Sequence, residues 1–276
     1  MYLKSVLHMG WLMVHFRNGA ALVECLRTGR PCEELVLWDG TRISHPPGRG
    51  GLLEAVQETW RERVYTDGFY TPGDGEVVVD VGANVGLFAI LVARQNPRCR
   101  VIALEPFAEN FRYLRDNIAR ACPGNASCHQ LALGSSFGSG HMQTVGSRSL
   151  DHVLHLQNAS AGSLDTKVRS TVVDNAAGSE TISVIPLSGI FELAGAPEID
   201  FLKVDIEGSE RDAFAAVAPD VLRRIKRIAM EYHDNIAPGT LDVLRRVLVA
   251  THVLTVRSSH AHAGGTLMAR RRAAEK

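Results

Sequence analysis

The 276-residue chain is 45% hydrophobic, enough for one substantial core: a domain of roughly 200 residues plus an N-terminal extension. Its 30 basic residues balance 30 acidic ones, which argues against the basic excess of a dedicated nucleic-acid binder. The five cysteines are odd in number and form no CxxC pair, so a reducing cytoplasm fits better than a disulfide framework.

Met1 to Phe16 is fairly apolar, but Lys4, His8 and His15 interrupt it and Arg17 closes it. It is too short for a membrane span, and no small-residue cleavage site follows. Residues 1–28 read as helix, packing on the domain or on a second subunit, so a homo-oligomer through this extension is one expectation. Glu34–Trp38 and Thr41–Ser44, joined by Asp39-Gly40, read as a hairpin with a type I′ turn. Pro46-Pro47-Gly48 ends it, and Leu52–Arg63 reads as helix. The expected division is a helix and hairpin extension over 1–64 and the main domain over 65–276.

Strands and helices then alternate: strand Glu76–Val81, helix Val85–Gln95, strand Arg100–Leu104, helix Ala108–Ala121, strand Ser127–Leu133. Continuous apolar strands with intervening helices indicate a buried parallel sheet. Residues 134–180, rich in Ser, Gly, Thr and His, break the rhythm and read as a loop forming a cap or lid. The rhythm returns with Thr181–Pro186, a short helix at Ile190–Ala194, strand Phe201–Val204, helix Glu210–Val217, strand Arg227–Tyr232 and helix Gly239–Val249. The closing strands Val253–Val256 and Thr266–Ala269 are too near in sequence for a crossover helix, so they are antiparallel. The basic runs Arg223–Arg227 and Arg270–Arg272 read as solvated ends of elements.

Three blocks carry the chemistry. In the first, Val77–Val81 runs through Asp80 into Gly82-Ala83-Asn84-Val85-Gly86 and a helix. A strand entering a glycine turn and a helix N-terminus is a nucleotide-cofactor turn, with glycines expected to let backbone approach the ligand. Asp80 at the strand tip suits a cationic amino group and repels a pyrophosphate. S-adenosylmethionine (SAM) carries an ammonium and a sulfonium and no phosphate. NAD wants Gly-x-Gly-x-x-Gly, and Asn84 stands where the middle glycine belongs. Glu105, at the next strand end before Pro106, is placed to accept ribose hydroxyls. Phe107 and Asn110 follow as candidates to border adenine.

The second block, Phe201 to Glu210, places Lys203 and Asp205 on one strand face and Glu207 beyond it, at the sheet end where α/β proteins bind ligands. Glu210 reads equally as a helix cap with Ser209. The third, Ala229-Met230-Glu231-Tyr232-His233, puts Glu231 and His233 on one face of the adjacent strand. His233 is the best-placed group to take a proton near neutral pH. Asp205 and Glu231 are also candidates to hold a divalent cation through oxygens. His141, His152, His155, His260 and His262 read as loop histidines.

Together, Val79–Gly86, Leu104-Glu105-Pro106, Leu202–Glu210 and Glu231-Tyr232-His233 resemble the FkbM-type family of SAM-dependent methyltransferases, over roughly residues 60–270. The resemblance implies a Rossmann-like, seven-stranded class I sheet with its last strand antiparallel. It implies O-methylation of a small-molecule hydroxyl, often on a sugar or on a polyketide or peptide product of secondary metabolism. Carried over, Asp80, Gly82, Asn84, Gly86, Glu105, Pro106 and Asp205 line SAM, and Lys203, Glu207 and His233 face the substrate. His233 or Asp205 then accepts the hydroxyl proton, with Glu231 orienting the base. Where the family commonly has Thr-Leu-Asp before the fourth strand, this chain has Pro186-Leu187-Ser188. The rivals are a nucleic-acid or protein methyltransferase, an NAD-dependent oxidoreductase and a non-catalytic SAM-fold protein. Asp205-Ile206-Glu207-Gly208 is acidic and unfriendly to phosphate, which disfavours nucleic acid.

Overall fold

A computed structural model describes residues 2–144, 152–157, 174–175, 179–258 and 264–273. Its centre is a seven-stranded sheet built from β3 (Val77–Val81), β4 (Arg100–Leu104), β5 (Ala126–His129), β11 (Phe201–Val204), β12 (Arg227–Tyr232), β13 (His252–Ser258) and β14 (Gly265–Arg271). The spatial order is β13-β14-β12-β11-β3-β4-β5. β5, β4, β3, β11 and β12 pair in parallel, whereas β14 runs antiparallel to both β12 and β13. The reversed last strand thus sits one place in from the edge, and the class I α/β arrangement expected from the sequence is present.

Alternation along the strands sends side chains to two cores. Val77, Val79, Val81, Leu202 and Val204 face one, with Leu244 and Leu248 of the helix Thr240–Leu248. Val78 and Phe201 face the other, with Phe88 of the helix Leu87–Gln95. Phe201 is fully buried and stacks between Tyr70 at 4.2 Å and Phe88 at 5.9 Å.

The N-terminal region enters this second core. Leu12 of α1 (Tyr2–His15), Phe16 just beyond its end, Leu22 of α2 (Gly19–Thr28), Leu35 of β1 (Glu34–Val36) and Ile43 of β2 (Arg42–Ser44) are all buried in the same cluster as Phe88 and Phe201. The helix expected over 1–28 is two helices, because Asn18 is pinned to β1. Its side chain donates to Glu34 O at 3.0 Å and accepts from Val36 N at 2.9 Å. The hairpin is fixed in turn by buried Asn117, which donates to Ser44 O and accepts from Ser44 N, both at 2.8 Å. Residues 52–63 differ too: α3 (Leu52–Val56) passes into a π-helical turn, Gln57–Arg61. Trp60 on that turn donates its indole N–H to Leu87 O at 2.9 Å, docking it against the helix that follows the glycine turn.

The expected loop after residue 134 is, where described, mostly strand. β6 (Ala132–Gly134), β7 (Gly138–Thr144), β8 (His152–Gln157) and β10 (Ser179–Pro186) form a second sheet in the order β6-β10-β7-β8, with the two-residue β9 (Asp174–Asn175) on β10. The expected strand 127–133 breaks at Gln130-Leu131, and that break carries the chain from the first sheet to the second. His141, His152 and His155 therefore lie on strands, while His260 and His262 fall outside the described residues.

Phe201 supplies the apolar mass on which the ring stack rests. Phe201→Ala is expected to cost about 3–5 kcal/mol of unfolding free energy, measured by chemical denaturation.

Candidate active site

At the carboxyl ends of β3, β11 and β12 the chain encloses a cavity of about 410 Å³. Gly82, Asn84, Lys203, Asp205, Glu207, Glu231 and His233 line it, so most of the site residues read from the sequence meet in one place. Asp80, Gly86, Glu105 and Pro106 are not on its wall.

Asp80 lies one layer below. It is fully buried and pairs in register with Lys203, whose Nζ is 3.3 Å from its Oδ1. The same Nζ donates to Gly82 O at 2.8 Å and lies 3.6 Å from Asp205 Oδ2. Burial alone would lower the Lys203 pKa, but Asp80 and Asp205 on either side raise it, so it stays an ammonium. Asp80 is thus linked to the cavity wall through Lys203.

The two glycines of the turn also serve the protein more than a ligand. A Cβ on Gly82, at φ +74°, would lie 1.7 Å from the Asp205 carbonyl oxygen. A Cβ on Gly86, at φ +95°, would lie 2.8 Å from Leu114. The first lets β11 close on the turn, and the second lets the helix Ala108–Ala121 close on it. Glu105 is buried and closes the turn from the third side. It accepts the backbone N–H of Asn84 at 2.8 Å and of Phe107 at 3.0 Å. Burial pushes its carboxyl up to about 7, against the pull of those two N–H groups. Phe107 packs on Ala132, Ile182 and Val184 of the second sheet.

Carboxyl groups outnumber cations in the cavity. Glu58, Asp205, Glu207 and Glu231 line it, against Lys203 and His233. Burial pushes Glu207 up to about 8 and Glu231 up to about 7; Asp205 adds to both, and His233 pulls both back. Glu207 also sits at φ +49°, a conformation that costs a non-glycine residue strain and is kept where a site requires it.

His233 differs from its expected role. Its Nδ1 lies 2.9 Å from Glu210 Oε1 and its Nε2 lies 3.4 Å from Glu207 Oε2. Burial would lower its pKa, but the Glu210 hydrogen bond and the charges of Glu210, Glu207 and Asp205 outweigh this and push it up to about 9. At neutral pH it is an imidazolium, unable to accept a proton. Glu210 is fully buried and also accepts the N–H groups of Ile206 and Gly208, so it shapes the turn as well as holding the histidine.

Ligand atoms of Asp205, Glu231 and His233 lie within 4.8 Å of one another. Both His233 nitrogens face carboxylates, so the histidine is a poor ligand for a divalent cation, and a single hydroxyl lies between the facing oxygens of Asp205 and Glu231. That hydroxyl belongs to Tyr65, on the connection that leads into β3. Both it and Glu58, on the π-helical turn, escape the sequence reading. Neither sits in a motif; a π-turn inside a helix often marks a functional site, but it is invisible in sequence.

A family model described as the methyltransferase FkbM domain matches residues 80–253. The chain belongs to the FkbM methyltransferase family. It is 28% identical over 215 residues to the 31-O-demethyl-FK506 methyltransferase FkbM of Streptomyces tacrolimicus, covering 73% of this chain and 82% of that protein. It is 25% identical over 193 residues to the hexuronic acid methyltransferase AglP of Haloferax volcanii, covering 67% and 71%. It is 29% identical over 206 residues to the AMB antimetabolite synthetase AmbE of Pseudomonas aeruginosa, where the match spans 65% of this chain but 9% of that protein. Among solved structures, the precorrin-6y C5,15-methyltransferase of Geobacter metallireducens is similar, with a TM-score of 0.40 and 13% identity over 73% of this chain and 82% of that one. The FkbM-family match starts at Asp80, so Glu58 and Tyr65 lie ahead of it.

Glu105, Glu207, Glu231 and His233 all have folded pKa values raised above their ordinary ones. A raised group stabilises the fold below its unfolded pKa, and that contribution is lost as pH rises through the folded value. The lowered pKa values of the buried histidines His8, His45, His129 and His252 act in the opposite sense below their ordinary value, so the ligand-free protein is expected to lose thermal stability from about pH 7 to pH 9, read as a falling midpoint in scanning calorimetry.

Proposed function

We propose that the chain is a SAM-dependent O-methyltransferase acting on a hydroxyl of a small molecule, a sugar or a polyketide or peptide natural product. The observation that carries the reading is the cavity's excess of carboxylates. Asp205 Oδ1 is buried without a hydrogen-bond partner among the described residues, an acceptor open to a cationic group. A cavity of about 410 Å³ is of ordinary size for a small ligand. When bound, SAM supplies an electrophilic methyl on a cationic sulfur and no phosphate. The names of two relatives, a 31-O-demethyl-FK506 methyltransferase and a hexuronic acid methyltransferase, support a small-molecule acceptor. The acidic wall disfavours a phosphate backbone and hence a nucleic-acid acceptor. Among the described residues, no helix is long and apolar enough to cross a membrane.

In this reading the backbone of Gly82 to Asn84 forms the donor rim, and Glu105 is the ribose partner beyond it. Asp205 and Glu231 are the proton acceptors. Removing a proton from an alcohol as it attacks is general base catalysis, and a base with a pKa near neutrality suits it. Glu231, pushed up to about 7, meets that condition. His233 draws the pKa of Glu231 down toward neutrality instead of acting as the base. No step requires a metal, so chelation is expected to leave turnover unchanged.

Titration calorimetry with SAM at pH 6 and pH 8 tests the donor. If one carboxylate with a pKa near 7 must ionise to receive the cation, affinity rises roughly tenfold over that range. No SAM binding at either pH would defeat the proposal. His233→Ala tests the base, with methyl transfer measured on a panel of monosaccharides, uronic acids and macrolides. Without the imidazolium Glu231 titrates higher, so turnover at pH 7 should fall about tenfold and recover toward pH 9. A loss that does not recover with pH would return His233 to the role of base.

A further inference from the structure

Tyr65 stands between the two carboxylates to which the proposed function assigns the proton. Its hydroxyl lies 3.1 Å from Asp205 Oδ2 and 3.2 Å from Glu231 Oε2. A phenol has one proton to donate. It can satisfy one carboxylate at a time; the other then has no proton from the phenol, and Asp205 keeps only the more distant Lys203 ammonium. We propose that Tyr65 is a positioning residue of the methyl-transfer site, whose hydroxyl holds Asp205 and Glu231 together and selects which carboxylate is left free for the acceptor's proton. This rests on the SAM-dependent reading above.

The surroundings fix the ring and leave the hydroxyl its choice. Tyr65 is 4% exposed, and its ring meets Phe88 edge-on at 5.9 Å. Phe88 stacks on Phe201, which stacks on Tyr70, so the ring stands at the end of a row anchored in the core. Lys203 Nζ lies 5.3 Å from the ring centroid, and the same ammonium flanks Asp205. The backbone ahead of the tyrosine is held by Arg63 at φ +51°, whose carbonyl accepts the N–H groups of Thr66 and Asp67. Such a conformation costs a non-glycine residue strain. Burial, with the charges of Asp205 and Glu231, raises the phenol's pKa well above its ordinary value, so it remains a donor.

The proton balance is closed. While Tyr65 donates to Asp205, Glu231 Oε2 is the open acceptor, and the reverse holds when it donates to Glu231. As the acceptor's O–H bond breaks, its proton passes to the open carboxylate. The freed oxygen pair forms the new O–CH3 bond, and the S–CH3 pair stays on sulfur. The phenol proton is not consumed. Tyr65 thus adds to the reaction a residue that lies outside the segment matched by the family model.

The test uses the full chain with Tyr65→Phe, which keeps the ring and removes the hydroxyl, alone and combined with Glu231→Gln. Turnover of Tyr65→Phe, on whichever panel acceptor the wild type methylates, should fall ten- to a hundredfold with the KM for SAM within threefold. The double variant should be no slower than Glu231→Gln alone, since residues acting through one group are not additive. Side-chain carboxyl carbon-13 resonances of Asp205 and Glu231, assigned with Asp205→Asn and Glu231→Gln, should move in cofactor-free Tyr65→Phe while other carboxylates stay in place. Wild-type turnover in Tyr65→Phe, additive losses in the double variant, or unmoved resonances would each overturn the proposal. A wild-type protein that transfers no methyl group overturns the functional reading instead, and the resonances still decide whether Tyr65 governs the pair.

Discussion

The buried pair of Asp80 and Lys203 is the interaction on which the site depends. The two residues face each other across neighbouring parallel strands, and both are buried. Desolvating such a pair costs several kcal/mol per ion, and the return comes only when the geometry is good and the remaining donors are used. Lys203 uses its donors on Gly82 O and, by charge, on Asp205. One ammonium thereby ties β3, the glycine turn and the tip of β11 into a single unit. Gly82 completes it, because only a residue without Cβ lets the Asp205 carbonyl come so near.

Above this floor the cavity gathers carboxylates faster than cations. Glu207 and Glu231 respond by keeping their protons to higher pH. His233 responds by keeping its own. The same surplus that makes the empty site costly makes it selective, since a ligand bearing positive charge relieves it and a phosphate worsens it. Charge in this site is therefore a matter of groups acting together, with Glu210 as the hidden member that sets the state of His233.

Much of this was legible in the sequence, and the rest was not for identifiable reasons. The strands Phe201–Val204 and Arg227–Tyr232 and the helix Ala108–Ala121 fall where their apolar patterns put them, because local periodicity and burial agree there. The polar residues of those strand tips are brought into one cavity because neighbouring parallel strands end together. Gly138-Ser139-Gly140 carries no alternation, so β7 owes its existence to pairing with β10, some forty residues on, which no local window detects. Glu58 and Tyr65 reach the site from a segment without a motif. The state of His233 depends on carboxylates 23 and 26 positions away in sequence, so its residue type alone suggested a base where the fold makes a cation.

The root of the second sheet bears on how that sheet can behave. Glu180, at the start of β10, accepts the backbone N–H of Ala108 at 3.0 Å and the side-chain amide of Gln130 at 2.8 Å. These are the first residue of one core helix and the point where the chain leaves the main sheet. Two hydrogen bonds to a buried carboxylate weld the sheet to the strand end that carries Glu105. A substitution in this sheet is thus transmitted to the glycine turn that Glu105 closes, even where it touches no residue of the cavity.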